Sequence, residues 1–127
     1  MMRKARLVIS GIAIPIDLDD TNASTTVQEI INIMPISTVI HVWGEELYTD
    51  GIPIDAKLEN PKSLVSPMDV AYWPPGNALC FFFGPTPLSQ NGEIKPYSPV
   101  TVIGKINPEM PFPKIADGSK AKFEVIS

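Results

Sequence analysis

The sequence predicts a mainly β protein, closed into a barrel of about eight strands with one good helix, and three observations carry that reading. Short apolar or alternating runs recur along the chain, each bounded by turn residues. The fourteen prolines fall almost entirely between those runs, where they mark turns and argue against long helices. One run, Leu79-Cys80-Phe81-Phe82-Phe83, is apolar at every position. Successive strand side chains point to opposite faces, so both faces of that strand need cover. Closure would also remove the exposed edges that such strands otherwise offer to aggregation.

Taken in order, residues 6–10 and 12–18 read as two strands joined near Gly11, with Ile12, Ile14 and Ile16 on one face. Residues 17–22 form a polar break. Thr26 to Met34 is the helix: Val27, Ile30, Ile31 and Met34 make one apolar stripe. Ser24, Thr25 or Thr26 can cap it, and Thr25 with Gln28 or Thr26 with Glu29 has capping-box spacing. Pro35 then stops it.

Thr38 to Trp43 reads as a strand, followed by Gly44-Glu45-Glu46 and a short strand at Leu47 to Thr49. Asp50-Gly51 is a turn signal, and a further strand is expected near Ala56 to Leu58. Asp69 to Trp73 and Ala78 to Phe83 form a hairpin about Pro74-Pro75-Gly76-Asn77, where proline then glycine suits a type II turn. Pro85 to Pro99 is a long loop of a kind that often carries function. Val100 to Ile106 is a strand, and Lys114 to Ala116 is expected to form one helical turn. Lys120 to Ile126 closes the chain with Phe123 and Val125 inward against Lys122 and Glu124.

A chain of 127 residues fits one domain, residues 1–127, able to bury roughly two-thirds of its unfolded surface. A net charge of −4 and two arginines, Arg3 and Arg6, with scattered lysines exclude a nucleic-acid partner. A single cysteine, Cys80, excludes an intrachain disulfide and fits a reducing, cytoplasmic compartment. Its apolar setting makes it a buried structural thiol. Residues 3–16 imitate a secretory signal, but Ser10, Gly11 and Pro15 interrupt the apolar part and Asp17, Asp19 and Asp20 follow it, so that reading is rejected. No run approaches the roughly 20 apolar residues of a membrane span, so no membrane partner is expected.

His41 is the only histidine, which excludes a histidine-based metal cluster and limits any catalytic triad to that residue. No phosphate loop or nucleophile-elbow motif is present, and no cofactor or metal is expected. Asp17, Asp19 and Thr21 imitate the start of a calcium loop, but Asn22 and Gln28 replace its glycine and glutamate. They are read as a solvated turn and helix cap. Glu45 and Glu46 are adjacent, so in an extended segment they point to opposite faces and do not form an acid/base pair. One of them beside Trp43 would give a carboxylate next to an aromatic plane, a grip for a cation or amine. Trp43 in the core, with both glutamates in a solvated turn, is the simpler alternative.

The stretches Trp43-Gly44-Glu45-Glu46-Leu47-Tyr48, Asp69-Val70-Ala71-Tyr72-Trp73-Pro74-Pro75-Gly76-Asn77-Ala78-Leu79-Cys80, Phe82-Phe83-Gly84-Pro85-Thr86-Pro87 and Val102-Ile103-Gly104-Lys105-Ile106 resemble the small single-domain prokaryotic cyclophilin-like proteins, a family of unassigned function. The resemblance runs in order from the first hairpin to the last strand. It implies a closed eight-stranded barrel capped at its ends by one or two helices. A fold is not a function, however. In prolyl isomerases of this fold, the resemblance implies, peptide binds on an outer barrel face. There an arginine hydrogen-bonds the proline nitrogen and weakens the resonance behind a barrier of about 18–20 kcal/mol. This chain has no arginine after Arg6, and Ile40-His41-Val42 puts valine where that arginine would follow a histidine. Lys57 or Lys105 offers charge without the planar fork.

Either Leu79, Phe81 and Phe83 or Ala78, Cys80 and Phe82 face outward, to be covered by a ligand, a second subunit or the loop Pro85 to Pro99. The expected function is a non-catalytic module binding an apolar or proline-containing peptide or a small ligand, with Trp43, Glu45, Glu46, Tyr72, Trp73, Phe81, Phe83 and Pro85 as binding residues and no catalytic ones. The alternatives are a weak prolyl isomerase or another enzyme using Glu45 or Glu46 with His41, and a homodimer whose patch is the interface. Convergence of Glu45, His41 and Trp73 in one pocket would favour the enzyme.

Overall fold

The structure, a computed structural model, describes residues 2–108 and 114–126. Eight antiparallel strands close into a barrel: β1 (Met2–Ile9), β2 (Ile12–Asp19), β3 (Ile36–Trp43), β4 (Glu46–Thr49), β5 (Asp69–Trp73), β6 (Ala78–Phe82), β7 (Thr101–Ile106) and β8 (Ser119–Val125). Around the ring they run β1-β2-β7-β5-β6-β4-β3-β8 and back to β1. The first hairpin turns on Ser10 and Gly11, both at positive φ (51° and 78°), the conformation a two-residue hairpin loop with right-twisted strands requires.

Alternation decides what fills the barrel. Leu7 and Ile9, Ile14, Ile16 and Leu18, Ile40, Leu47, Val70 and Tyr72, Leu79 and Phe81, Ile103 and Phe123 all point inward and are almost wholly buried. Phe81 and Phe123 meet edge to face at 6.0 Å between ring centres. The helix α1 (Ser24–Ile33) packs Val27 and Ile30 against this core, with Ile31 and Met34 partly buried.

The structure corrects the expected local chemistry in several places. Neither a serine nor a threonine caps α1. Glu59 does so from a distant loop, accepting from the backbone N–H of Thr26 at 2.8 Å, from its hydroxyl at 2.7 Å, and from the N–H of Thr25 at 3.4 Å. Residues 56–58 form no strand, and residues 114–116 form no helical turn; residues 109–113, which precede that expected turn, lie outside the described residues. Pro74–Gly76 make a 3-10 turn, and Asn77 rather than Gly76 takes the left-handed conformation. A Cβ on Gly76 would lie 2.6 Å from the Trp73 ring, so glycine is needed there for close approach. Asp17 is no solvated turn residue. It sits buried on β2, paired with Lys4 Nζ at 2.8 Å and accepting from Asn107 Nδ2 at 2.7 Å. These bonds hold its carboxyl below the usual value.

Candidate functional site

Strand register places a second, smaller apolar cluster on the outside of the wall formed by β3, β4, β6 and β5. Trp43 stands opposite Glu46, Glu46 opposite Phe82, Tyr48 opposite Cys80, and Cys80 opposite Ala71. Directly opposed residues share a face. The inward neighbours are Leu47, Leu79 and Phe81, so Glu46, Tyr48, Cys80 and Phe82 all look outward. The unresolved alternation of the apolar run is therefore settled: Leu79 and Phe81 fill the barrel, while Ala78, Cys80 and Phe82 take the outer face.

The chain covers much of that outer face itself. The segment 84–100 folds back over β6 and sets Ile94 and Val100 against Ala71, Cys80 and Phe82. It is pinned along its length. Pro85 O accepts from Glu45 N at 2.9 Å, Thr86 Oγ1 donates to Lys95 O at 2.5 Å, and Val65 N donates to Ile94 O at 3.0 Å. Trp73 Nε1 donates to Ser98 Oγ at 2.6 Å. Tyr97, 69% exposed, stands at the rim with its ring 6.1 Å from Trp43 and 5.8 Å from Trp73, inclined at 63° and 83°.

A cavity of about 200 Å³ remains between the loop and the wall, lined by Trp43, Glu46, Tyr48, Trp73, Cys80, Phe82, Pro96, Tyr97 and Val100. Its one carboxyl is Glu46, only 5% exposed, and the Oε1 atom is buried without a hydrogen-bond partner. Burial raises this carboxyl to about 7, opposed in part by the Cys80 thiol beside it. Burial and the facing Glu46 push the Cys80 thiol well above its ordinary value. The site thus offers five aromatic side chains, a carboxyl that changes charge near neutrality, and a thiol held protonated.

Of the residues expected to bind, Trp43, Glu46 and Trp73 come together here. Phe81 and Tyr72 do not: both are wholly buried inside the barrel, Tyr72 with its hydroxyl 3.2 Å from Asn77 Oδ1. Phe83 packs half-buried against the interior core. Glu45 and Pro85 are exposed at the turn where the loop leaves, and neither lines the cavity. Tyr48, Cys80, Phe82, Pro96 and Tyr97 were not among the expected residues. The period-2 pattern on β4 and β6 offered a signal for three of them once the face was known, whereas Pro96 and Tyr97 arrive by loop folding.

Glu45 and His41 stay out of the cavity, so the convergence that would mark an acid/base enzyme is not formed. His41 stands behind Tyr48 at 5.1 Å between rings, its Nε2 2.5 Å from Asp50 and its Nδ1 3.8 Å from Asp117. Arg3 and Arg6 lie on β1, diametrically across the ring from β6, and Arg6 pairs with Glu124. Phe81 is interior, and Phe82 on the outer wall is buried beneath the chain's own loop. Among the described residues no three His, Cys, Asp or Glu side chains converge as metal ligands, and no helix is long and apolar enough to cross a membrane. A larger polar cleft of about 480 Å³ runs beside Asp17, Asp69 and Lys105. Its carboxylates are already committed, Asp17 to Lys4 and Asn107, Asp19 to the N–H and hydroxyl of Thr21, and Asp69 to the N–H of Ser66.

The fold agrees with that of a solved structure. A solution structure of a hypothetical protein from Archaeoglobus fulgidus is 35% identical, with a TM-score of 0.82 over 97% of this chain and 94% of that one. No curated protein matches the chain in sequence. The profile of the cyclophilin-like family matches residues 3–124, and with nearly the whole barrel inside that match the chain belongs to the cyclophilin-like family.

Proposed function

We propose that the protein is a non-catalytic binding module that takes a small ligand, or one side chain of a peptide, into the cavity between Trp43, Trp73 and Tyr97. The observation that carries this reading is the cavity itself: an aromatic-walled space with one buried carboxyl oxygen left without a partner. Buried polar groups are almost always satisfied, so an unsatisfied one on a residue that lines a cavity marks a place for a partner. The volume sets the scale of that partner. At about 200 Å³ it falls below the ~300–1,000 Å³ of sites for drug-sized molecules, which suits one side chain or a fragment of similar size.

Prolyl isomerisation fits the site poorly. The outer wall carries no guanidinium, and both arginines belong to the opposite side of the barrel. Short Xaa-Pro peptides in which Xaa is glycine, leucine, glutamate or lysine test the reading through tryptophan emission, with isomerisation followed in parallel. The expected result is a saturable emission change that depends on Xaa, with no acceleration. Acceleration lost in Trp73→Ala would make the protein an enzyme, and an emission trace indifferent to every peptide would remove the cavity as a side-chain site.

A further inference from the structure

The ligand class follows from the chemistry of the cavity, an inference that rests on the binding reading above. We propose that the cavity takes an organic ammonium, its nitrogen against the Glu46 carboxyl and its alkyl stem between Trp43, Trp73 and Tyr97. Glu46 is the one carboxylic acid in the lining, nine-tenths and more buried, and its Oε1 has no partner within the protein. An ionised carboxylate in such a place is stable only when a cation meets it.

The chain does not supply that cation. None of the lining residues is lysine or arginine, and the histidine behind Tyr48 is engaged by Asp50. The walls suit a cation as well as the floor does. Tyr97 stands steeply inclined to both indoles, so it does not stack on either. Ring faces attract an ammonium through their negative quadrupole, and their apolar bodies cover an alkyl stem. A space of about 200 Å³ holds an unbranched amine and leaves little room for more.

Glu46 also makes the site sensitive to pH. The titratable groups facing it are Cys80 from β6 and Tyr48 from its own strand; Tyr97 comes from the loop, β3 contributes Trp43 with His41 farther along, and β5 contributes Trp73. Burial leaves the empty carboxyl largely protonated below neutrality, so an alkylammonium, charged throughout this range, displaces a proton when it binds. Affinity for the ammonium therefore rises with pH until Glu46 is fully ionised.

The two indole N–H signals of Trp43 and Trp73, each assigned by its Trp→Phe variant, report on the cavity in a proton–nitrogen correlation spectrum. The probes are n-butylammonium chloride and n-butanol, which match in shape and differ in charge. At about pH 8 n-butylammonium is expected to bind about tenfold more tightly than n-butanol, and the preference to shrink at about pH 5.5. This comparison uses the unaltered protein; Glu46→Gln should abolish the difference between the probes. Butanol binding as tightly as butylammonium at about pH 8 would overturn the ammonium proposal while leaving the cavity a binding site. Indole signals unmoved by either probe would overturn both. An acetylated Gly-Lys-Gly amide distinguishes the source: tighter binding than butylammonium supports a lysine side chain on a protein, and equal or weaker binding supports a free small amine.

Discussion

Trp43 and Glu46 are cross-strand partners at the end of the β3–β4 ladder, which holds an indole beside a carboxyl sealed under the 84–100 loop. The carboxyl titrates near 7 in the folded chain against an ordinary value of 4.5. The folded state therefore holds its proton over a range where the unfolded state has lost it, and stability falls as pH rises from about 4.5 to about 7. At full ionisation the penalty is on the order of 3–4 kcal/mol, from ~1.4 kcal/mol for each unit of displacement. Glu46→Gln has no such proton to lose. Urea unfolding across this range should show the variant gaining on the wild-type protein as pH rises, and a constant difference would contradict the burial of an unpaired acid.

Gly76 lies under the Trp73 ring, where an added Cβ would sit 2.6 Å from one ring carbon and 2.8 Å from another. Gly76→Ala must push the indole away, and the indole holds the loop through Ser98. We expect a loss of about 1–3 kcal/mol, the usual effect of overpacking, together with an altered Trp73 indole N–H signal. Ser98→Ala removes the same hydrogen bond without the clash, for about 1 kcal/mol. A Gly76→Ala protein with both its stability and its Trp73 signal intact would mean that the ring does not hold this position.

The barrel was legible in the sequence because its cause is local: alternation at Ile12, Ile14 and Ile16 and the doubly apolar run 79–83 need only neighbouring residues to be read. The run even announced that two different surfaces would cover it. Which surface met which residues was not legible, because a one-residue change of register exchanges Phe81 with Phe82 and leaves the composition untouched. For the same reason two of the expected binding residues, Tyr72 and Phe81, proved to be interior. Glu46 was noted beside Trp43, but its burial depends on a loop that begins some forty residues later. Glu59 was invisible as a cap because it reaches α1 across 33 residues of sequence.

Cys80 provides a check on how well the loop seals the wall. The thiol is 3% exposed on the cavity floor, and burial together with Glu46 keeps it protonated. The thiolate is the reactive form. Iodoacetamide at mildly alkaline pH should leave the folded protein unmodified and alkylate Cys80 completely once urea unfolds it. Intact-mass measurement distinguishes the two, and rapid alkylation of the folded chain would show a floor far more open than the geometry describes.

Glu59 ties the segment after β4 to the start of α1, replacing the side-chain cap that the helix sequence does not provide. Burial tends to raise its carboxyl, but the hydrogen bonds from Thr26 and Thr25 outweigh that and lower it below 4.5. The stabilisation is accordingly present above about pH 4.5 and lost as pH falls through the folded value. Glu59→Ala should destabilise the protein by about 0.5–2 kcal/mol at neutral pH, the range for losing a helix N-cap. Thermal unfolding at successively lower pH should show the gap between variant and wild type closing as the wild-type carboxyl takes up its proton. A gap that persists unchanged into acid would assign the loss to packing of the Glu59 side chain and not to its charge at the helix terminus.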